Sequence, residues 1–159
     1  MKTVYLSLGS NMGDRAAMLR RAIEALSGAG VEVVRASSMY ETEPMGLREQ
    51  SWFLNMAVEC RTELFPLQLL RRLKKIEASL GRKRVVLNGP RTIDIDIVLF
   101  GRVVMSTPAL EIPHPRFRER RFVLAPLAEL TPDLHDPVTK KTVADLLTGT
   151  AGQRVRRVC

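Results

Sequence analysis

The chain has 159 residues, 45% hydrophobic and 26% charged, the size and balance of one globular domain with its own core. No apolar run approaches the ~20 residues that span a bilayer, and the first apolar stretch breaks at Gly9-Ser10-Asn11, which excludes a signal-peptide core. Cys60 and Cys159 stand alone, which excludes a disulfide framework or cysteine-rich metal site and points to a reduced, cytoplasmic setting.

The net charge of +8 is unevenly spread. Residues 1–60 carry six Lys/Arg and seven Asp/Glu, whereas residues 61–91 carry nine Lys/Arg and only Glu63 and Glu77. A further basic cluster follows at Arg116, Arg118, Arg120 and Arg121. Such a field suits a polyanion held beside a metal, with nucleic acid as the rival partner.

In chain order, Thr3–Leu8 alternates as a strand. The turn Gly9–Asp14 leads into a helix over roughly Asp14–Ala29, striped by Leu19, Ala22, Ile23 and Leu26 and capped by Asn11 or Asp14. The turn lacks both the P-loop ending and the three-glycine dinucleotide pattern, so it reads as structural. Val31–Tyr40 is a second strand, and Glu41–Ser51 a long loop of the kind that often forms a lid. In Trp52–Cys60, a third strand, Trp52, Leu54, Met56, Val58 and Cys60 face the core while Phe53, Asn55, Ala57 and Glu59 face away.

Pro66 opens a helix with Leu69, Leu70, Leu73, Ile76 and Leu80 as its apolar face, and Gly81 ends it. A basic loop, Arg82–Arg91, precedes a strand in which Ile93, Ile95, Ile97 and Leu99 alternate with Asp94, Asp96 and Val98. Gly101-Arg102 then reads as a hairpin turn into Val103–Met105, and helices near Arg118–Leu130 and Thr142–Leu147 follow. The order strand-helix-strand, strand-helix-strand describes an α+β, ferredoxin-like split βαβ core. It has an antiparallel sheet, helices mainly on one face, the other face open to ligands, and a C-terminal extension. The expectation is a single domain over 1–159.

Asp94 and Asp96 share one strand face with α-carbons ~6.6 Å apart, where two charges repel by roughly 2.5 kcal/mol at an effective dielectric of ~20. Either a cation such as nucleotide-borne Mg²⁺ offsets that repulsion, or the pair lies on a solvated edge where it is screened. Arg82, Lys83, Arg84 and Arg91 lie just before the pair, and arginine forks match phosphate oxygens. Phe53 beside Asn55 suits a planar heterocycle, stacking on its face and bonding its edge. His114 sits between Pro113 and Pro115. This inventory fits phosphoryl-type transfer, which needs cations and positioning and little covalent chemistry.

Six blocks occur in order: Gly9-Ser10-Asn11, Tyr40-x-Thr42-x-Pro44-x-Gly46, Phe53-Leu54-Asn55, Gly81-Arg82-x-Arg84, Gly89-Pro90-Arg91-Thr92-Ile93-Asp94-Ile95-Asp96 and Pro113-His114-Pro115. Together they resemble the 6-hydroxymethyl-7,8-dihydropterin pyrophosphokinases of folate biosynthesis. The resemblance runs from about Thr3 to Leu130.

It implies transfer of the diphosphate of ATP to the pterin hydroxymethyl oxygen, with release of AMP. It further implies two Mg²⁺ ions on Asp94 and Asp96, phosphate contacts from Arg82, Arg84, Arg91, His114 and Arg120, and a nucleotide contact from Glu77. Catalysis would fall to Arg82, Arg91, Asp94 and Asp96. The pterin would stack between Phe53 and Phe122, its edge met by Asn55, Thr42 and main-chain groups near Glu43 and Met45. The two long loops would close over the substrates. The implied protein is a cytoplasmic monomer whose partners are ATP and the pterin, not nucleic acid or membrane. The sequence differs from many relatives at Asn88, where an aromatic is usual, and at Pro115. The alternative reading is a non-catalytic ferredoxin-like RNA-binding module, which would display an RNP-like run of aromatics.

Overall fold

The computed structural model describes residues 1–42, 52–81 and 92–158. Strand β1 (Lys2–Ser10) is followed by α1 (Arg15–Ser27), β2 (Val31–Ala36), β3 (Tyr40–Thr42), β4 (Phe53–Thr62), α2 (Pro66–Ser79) and β5 (Asp94–Phe100). A small hairpin, β6 (Met105–Ser106) and β7 (Glu111–Ile112), leads to a 3₁₀ turn at Phe117–Glu119, α3 (Arg121–Leu130), α4 (Val143–Thr148) and β8 (Val155–Arg157). The main sheet runs β5-β1-β4-β3-β8, with β2 also pairing to β4, and every pairing is antiparallel.

Local chemistry explains the element ends. The Asp14 carboxylate accepts from the Ala17 amide and caps α1. Gly81 has φ +87, a left-handed conformation that stops α2. The Thr142 hydroxyl accepts from the Asp145 amide at the start of α4. The expected second strand divides at Ser37–Met39, where the Ser37 amide and hydroxyl bond the backbone of Ala57. As a result Glu41 and Thr42, expected in a loop, belong to β3.

The sheet has a core on each face. On one side Val4, Leu6, Leu8, Leu54, Met56, Val58, Ile95 and Ile97 pack with Leu19, Leu26, Leu69 and Leu73 of α1 and α2. On the other, Tyr5, Ala57, Val98 and Leu99 pack with Phe117 and with Leu124 and Leu127 of α3. The second face is therefore not wholly open: α3 packs on it over Tyr5, Ala57, Val98 and Leu99.

Three expectations are corrected. Leu99 does not share a face with Ile95 and Ile97, because Val98 is an extra residue opposite Tyr5/Leu6; this bulge moves Leu99 to the second core and Phe100 to the first. Val103–Met105 does not pair back onto β5; β6 pairs with β7 instead. Trp52 lies outside β4 and is 37% exposed, not core. Strand β8 carried too short a pattern to be read from sequence.

Asp136, 1% exposed, pins the C-terminal segment to the 3₁₀ turn. Its carboxylate accepts from the Arg118 Nε and Nη2, the Val138 amide and the Thr139 hydroxyl. Burial pushes this carboxyl up, but those four donors outweigh it and hold its pKa down at about 2. A carboxylate with a depressed folded pKa stabilises the fold above its unfolded value, near 3.8, and loses that contribution as pH falls through about 2. Asp136→Asn is therefore expected to be less stable than wild type at pH 7, by about 3 kcal/mol for a broken buried pair. Denaturant midpoints should converge as pH drops from about 4 to 2; a gap that stays constant over that range would remove Asp136 from the acid response.

Candidate active site

The site is built across three neighbouring strands. Gly9 on β1 lies opposite Asn55 on β4 and opposite Asp94 on β5, and two residues down Ser7 lies opposite Ala57 and Asp96. Residues directly opposite in adjacent strands present side chains to the same face. Asn55, Asp94 and Asp96 thus share one face with Phe53, and the α-carbons of Asn55 and Asp94 are about 10 Å apart, two inter-strand spacings. Asp94 and Asp96 are half-buried, as alternation predicts, while Ile93, Ile95 and Ile97 between them are buried.

Thr42 and Asn55 are each 4% exposed, and the Thr42 hydroxyl donates to Asn55 Oδ1 at 2.9 Å. That bond sets the amide so that Nδ2 lies over Gly9. A Cβ at Gly9 would stand 2.7 Å from Asn55 Nδ2, closer than real contacts allow. Glycine is needed here for clearance beneath the amide. Phe53, partly exposed, begins β4 beside this pair.

Along the outer edge of β5 runs a cleft of about 380 Å³, lined by Glu77, Asp94, Asp96, His114 and the Thr107–Glu111 turn. Glu77, only 5% exposed, accepts the Ile95 amide at 2.8 Å through Oε2. It ties α2 to β5 just between the two aspartates. The bulge also serves the site: the Val98 carbonyl accepts the His114 amide at 2.9 Å. His114 Nδ1 accepts the Arg116 amide, which leaves the ring proton on Nε2. Burial first, and then the neighbouring Arg120 charge, push the imidazole pKa down to about 4. Near pH 7 His114 is a neutral donor.

The four-arginine cluster divides by destination. Arg118 turns to Asp136, and Arg121 donates to the Leu147 carbonyl and the Thr150 hydroxyl. Arg120 remains at the site, its guanidinium 5.4 Å from the centre of the Phe122 ring and in the field of Asp96 and Asp94. Its Nε is buried and has no hydrogen-bond partner among the described residues. Burial pushes its pKa down, with Arg116 adding to the effect and the aspartates opposing it. A half-buried guanidinium with an unmet donor is suited to a phosphate oxygen.

Of the residues singled out from sequence, Thr42, Phe53, Asn55, Asp94 and Asp96 are set side by side by the sheet, His114 joins the aspartates in the cleft, and Arg120 and Phe122 stand together at the start of α3. Arg82, Arg84 and Arg91, Glu43 and Met45, and Asn88 lie outside the described residues. Sequence reading missed the Thr107–Glu111 turn and Lys74, which also line the cleft. The pair Thr107-Pro108 was the one local signal for that turn.

Gly9→Ala is expected to push the Asn55 amide away from β1 and weaken its bond to the Thr42 hydroxyl, a change that the Asn55 side-chain amide resonances in an NMR spectrum report. Resonances unchanged from wild type would show that the methyl fits without moving the amide.

The model of the family described as 7,8-dihydro-6-hydroxymethylpterin-pyrophosphokinase (HPPK) matches residues 5–132. The chain is 51% identical over 136 residues to a 2-amino-4-hydroxy-6-hydroxymethyldihydropteridine pyrophosphokinase of Bacillus subtilis, covering 85% of this chain and 81% of that one. A protein of the same name from Methylorubrum extorquens is 50% identical over 135 residues, covering 84% and 85%. Among solved structures, wild-type Plasmodium falciparum HPPK-DHPS superposes with a TM-score of 0.74 at 17% identity, covering 95% of this chain and 45% of that chain. That likeness shares the fold, and this chain spans under half of that larger protein. The carboxylates, the neutral imidazole and the phosphate-ready arginine thus sit in a fold and a sequence that agree on one assignment: the chain belongs to the 7,8-dihydro-6-hydroxymethylpterin-pyrophosphokinase family.

Proposed function

We propose that this pyrophosphokinase of folate synthesis binds its pterin over Asn55 and Phe53 and its nucleotide along the β5 cleft, with transfer between them at Asp94 and Asp96. The observation that carries this reading is the row Asn55–Gly9–Asp94 across three strands. It sets a heterocycle-reading amide and a cation-binding carboxylate at opposite ends of a gap about as long as a small pterin.

In the reaction the pterin hydroxymethyl oxygen forms a bond to the β-phosphorus of ATP. The bridge to the α-phosphorus breaks, AMP leaves, and the hydroxyl proton is lost to solvent or to a phosphate oxygen. Asp94 and Asp96 fit Mg²⁺ in their chemistry, as hard oxygen donors side by side on one strand face, and would hold the ion there. When bound, such ions neutralise the charge that gathers on the bridging and leaving oxygens. Two ions on the two aspartates is the arrangement proposed.

Arg120 supplies a fixed positive charge on the same side, and His114 donates a neutral Nε2–H to a phosphate oxygen. Glu77 acts on the nucleotide side by holding β5 at Ile95. Phe53 and Phe122 supply the stacking faces, and Thr42 orients Asn55. Arg82, Arg84 and Arg91 are proposed as further phosphate ligands, with Arg82 and Arg91 catalytic, and the main chain near Glu43 and Met45 as part of the pterin pocket. Residues 1–159 are proposed to work as one domain, a monomer in the cytoplasm. Among the described residues no helix is long and apolar enough to cross a membrane.

Asp94→Ala and Asp96→Ala are each expected to abolish AMP formation from ATP and the pterin in the presence of Mg²⁺ while the protein remains folded by circular dichroism. Arg120→Ala should lower kcat about a hundredfold or more, the usual cost of losing one charge-stabilising donor. Full turnover in either aspartate variant would sink the metal assignment, and RNA binding without AMP would favour the non-catalytic alternative.

A further inference from the structure

Glu41 lies outside every contact assigned above, yet it is the meeting point of three parts of the chain. Its Oε1 pairs with Arg15 Nη2 at 3.0 Å and its Oε2 with Arg156 Nη2 at 2.5 Å. Both arginines hold its carboxyl below the usual carboxylate range, with Arg156 the larger influence. Arg15 is the first residue of α1 and Arg156 is central in β8. The same Arg15 guanidinium donates through Nη1 to the Trp52 carbonyl at 2.8 Å. One side chain therefore ties the residue just before Thr42 to the residue just before Phe53.

Strand β3 needs such a tie. It is three residues long, and a strand that short has few ladder bonds to hold its place. Tyr40 is fixed from one side, its hydroxyl donating to Glu129 of α3 at 2.6 Å, while the Ser38 amide donates to the same carboxylate. Side chains alternate along a strand, so Glu41 points away from Tyr40 and Thr42. The Arg15–Glu41–Arg156 cluster is then the restraint on the opposite face. Both of these attachments immediately precede Thr42, whose hydroxyl sets the Asn55 amide.

We propose that Glu41 is a positioning residue for pterin recognition: clamped by Arg15 and Arg156, it fixes where β3 sets Thr42 against Asn55. Surface ion pairs contribute little to global stability, so the clamp acts on geometry and not on the folding equilibrium. It also gives the C-terminal strand a part in the reaction, because β8 carries Arg156 and pairs Val155 with Thr42. The inference rests on the pterin reading of Asn55 given above, and the controls separate the two.

The test measures steady-state kinetics of the full chain with ATP, Mg²⁺ and hydroxymethyldihydropterin for Glu41→Gln, Arg15→Lys, Arg156→Ala and Arg156→Lys, with Asn55→Ala as control. Glu41→Gln should raise KM for the pterin about fivefold or more, while kcat and KM for ATP stay within about twofold, a split expected when only substrate binding is weakened. Arg156→Ala should move the pterin KM the same way and Arg156→Lys restore most of it. In the Glu41→Gln/Arg156→Ala double variant the effects should be less than additive, as for groups acting through one contact. Arg156 is largely exposed, so its variants carry the test should Glu41→Gln fail to fold. An unchanged pterin KM in the folded variants, or equal rises for both substrates, overturns the clamp. If Asn55→Ala also leaves the pterin KM unchanged, the pocket assignment itself fails. If Asn55→Ala raises it and the clamp variants do not, the clamp alone is wrong.

Discussion

Strand β1 pairs along its length with β4 on one side and with β5 on the other, and the active site depends on the register of both ladders. That register is strongly specified because Val4, Leu6 and Leu8 are completely buried against α1 and α2. A slip of one residue in β5 would drive Asp94 and Asp96 into that core and put Ile95 in the site. Burying an unpaired carboxylate costs far more than a domain can spare, so the alternative register is closed. The same alternation that builds the core is what holds the two carboxylates side by side on the opposite face.

Departures from regular alternation do specific work around this frame. The extra residue Val98 shifts the end of β5 onto the second core and anchors His114 through its carbonyl. Gly9 leaves a gap that the Asn55 amide fills. The division of the second strand at Ser37 turns β3 across the end of β4, bringing Thr42 within reach of Asn55. These three irregularities lie next to the site, whereas a further register shift, between Val33 and Arg35 of β2, lies toward the other end of β4.

Charge is organised on the same plan. Arg118 and Arg121 are tied to the C-terminal segment, which fixes the 3₁₀ turn and the start of α3. Arg120, between them in sequence, is left to face the aspartates with an unmet donor. Arg15 and Arg156 converge on Glu41 of β3. Among the described arginines of this region, Arg118, Arg121, Arg15 and Arg156 thus hold other parts of the chain, and the Arg120 Nε is left without a partner.

Much of this was determined by the sequence alone. Period-two alternation located β1, β4 and β5 and put Asp94 with Asp96, and Phe53 with Asn55, each pair on one face of its own strand; helical stripes located α1 and α2; the ordered motif blocks pointed to the family. Those are short-range patterns, and hydrophobic spacing encodes them directly. Tertiary structure decided the rest. That Arg118 is paired while the Arg120 Nε is not depends on where Asp136 lies, eighteen residues from Arg118 in the chain. That Leu99 and Ile97 face opposite cores depends on one bulge against β1, and that Glu41 is a clamp depends on β8, more than a hundred residues away. Contacts between distant segments have no local signature, because the partner's position is set by packing of the whole sheet and not by the residues on either side.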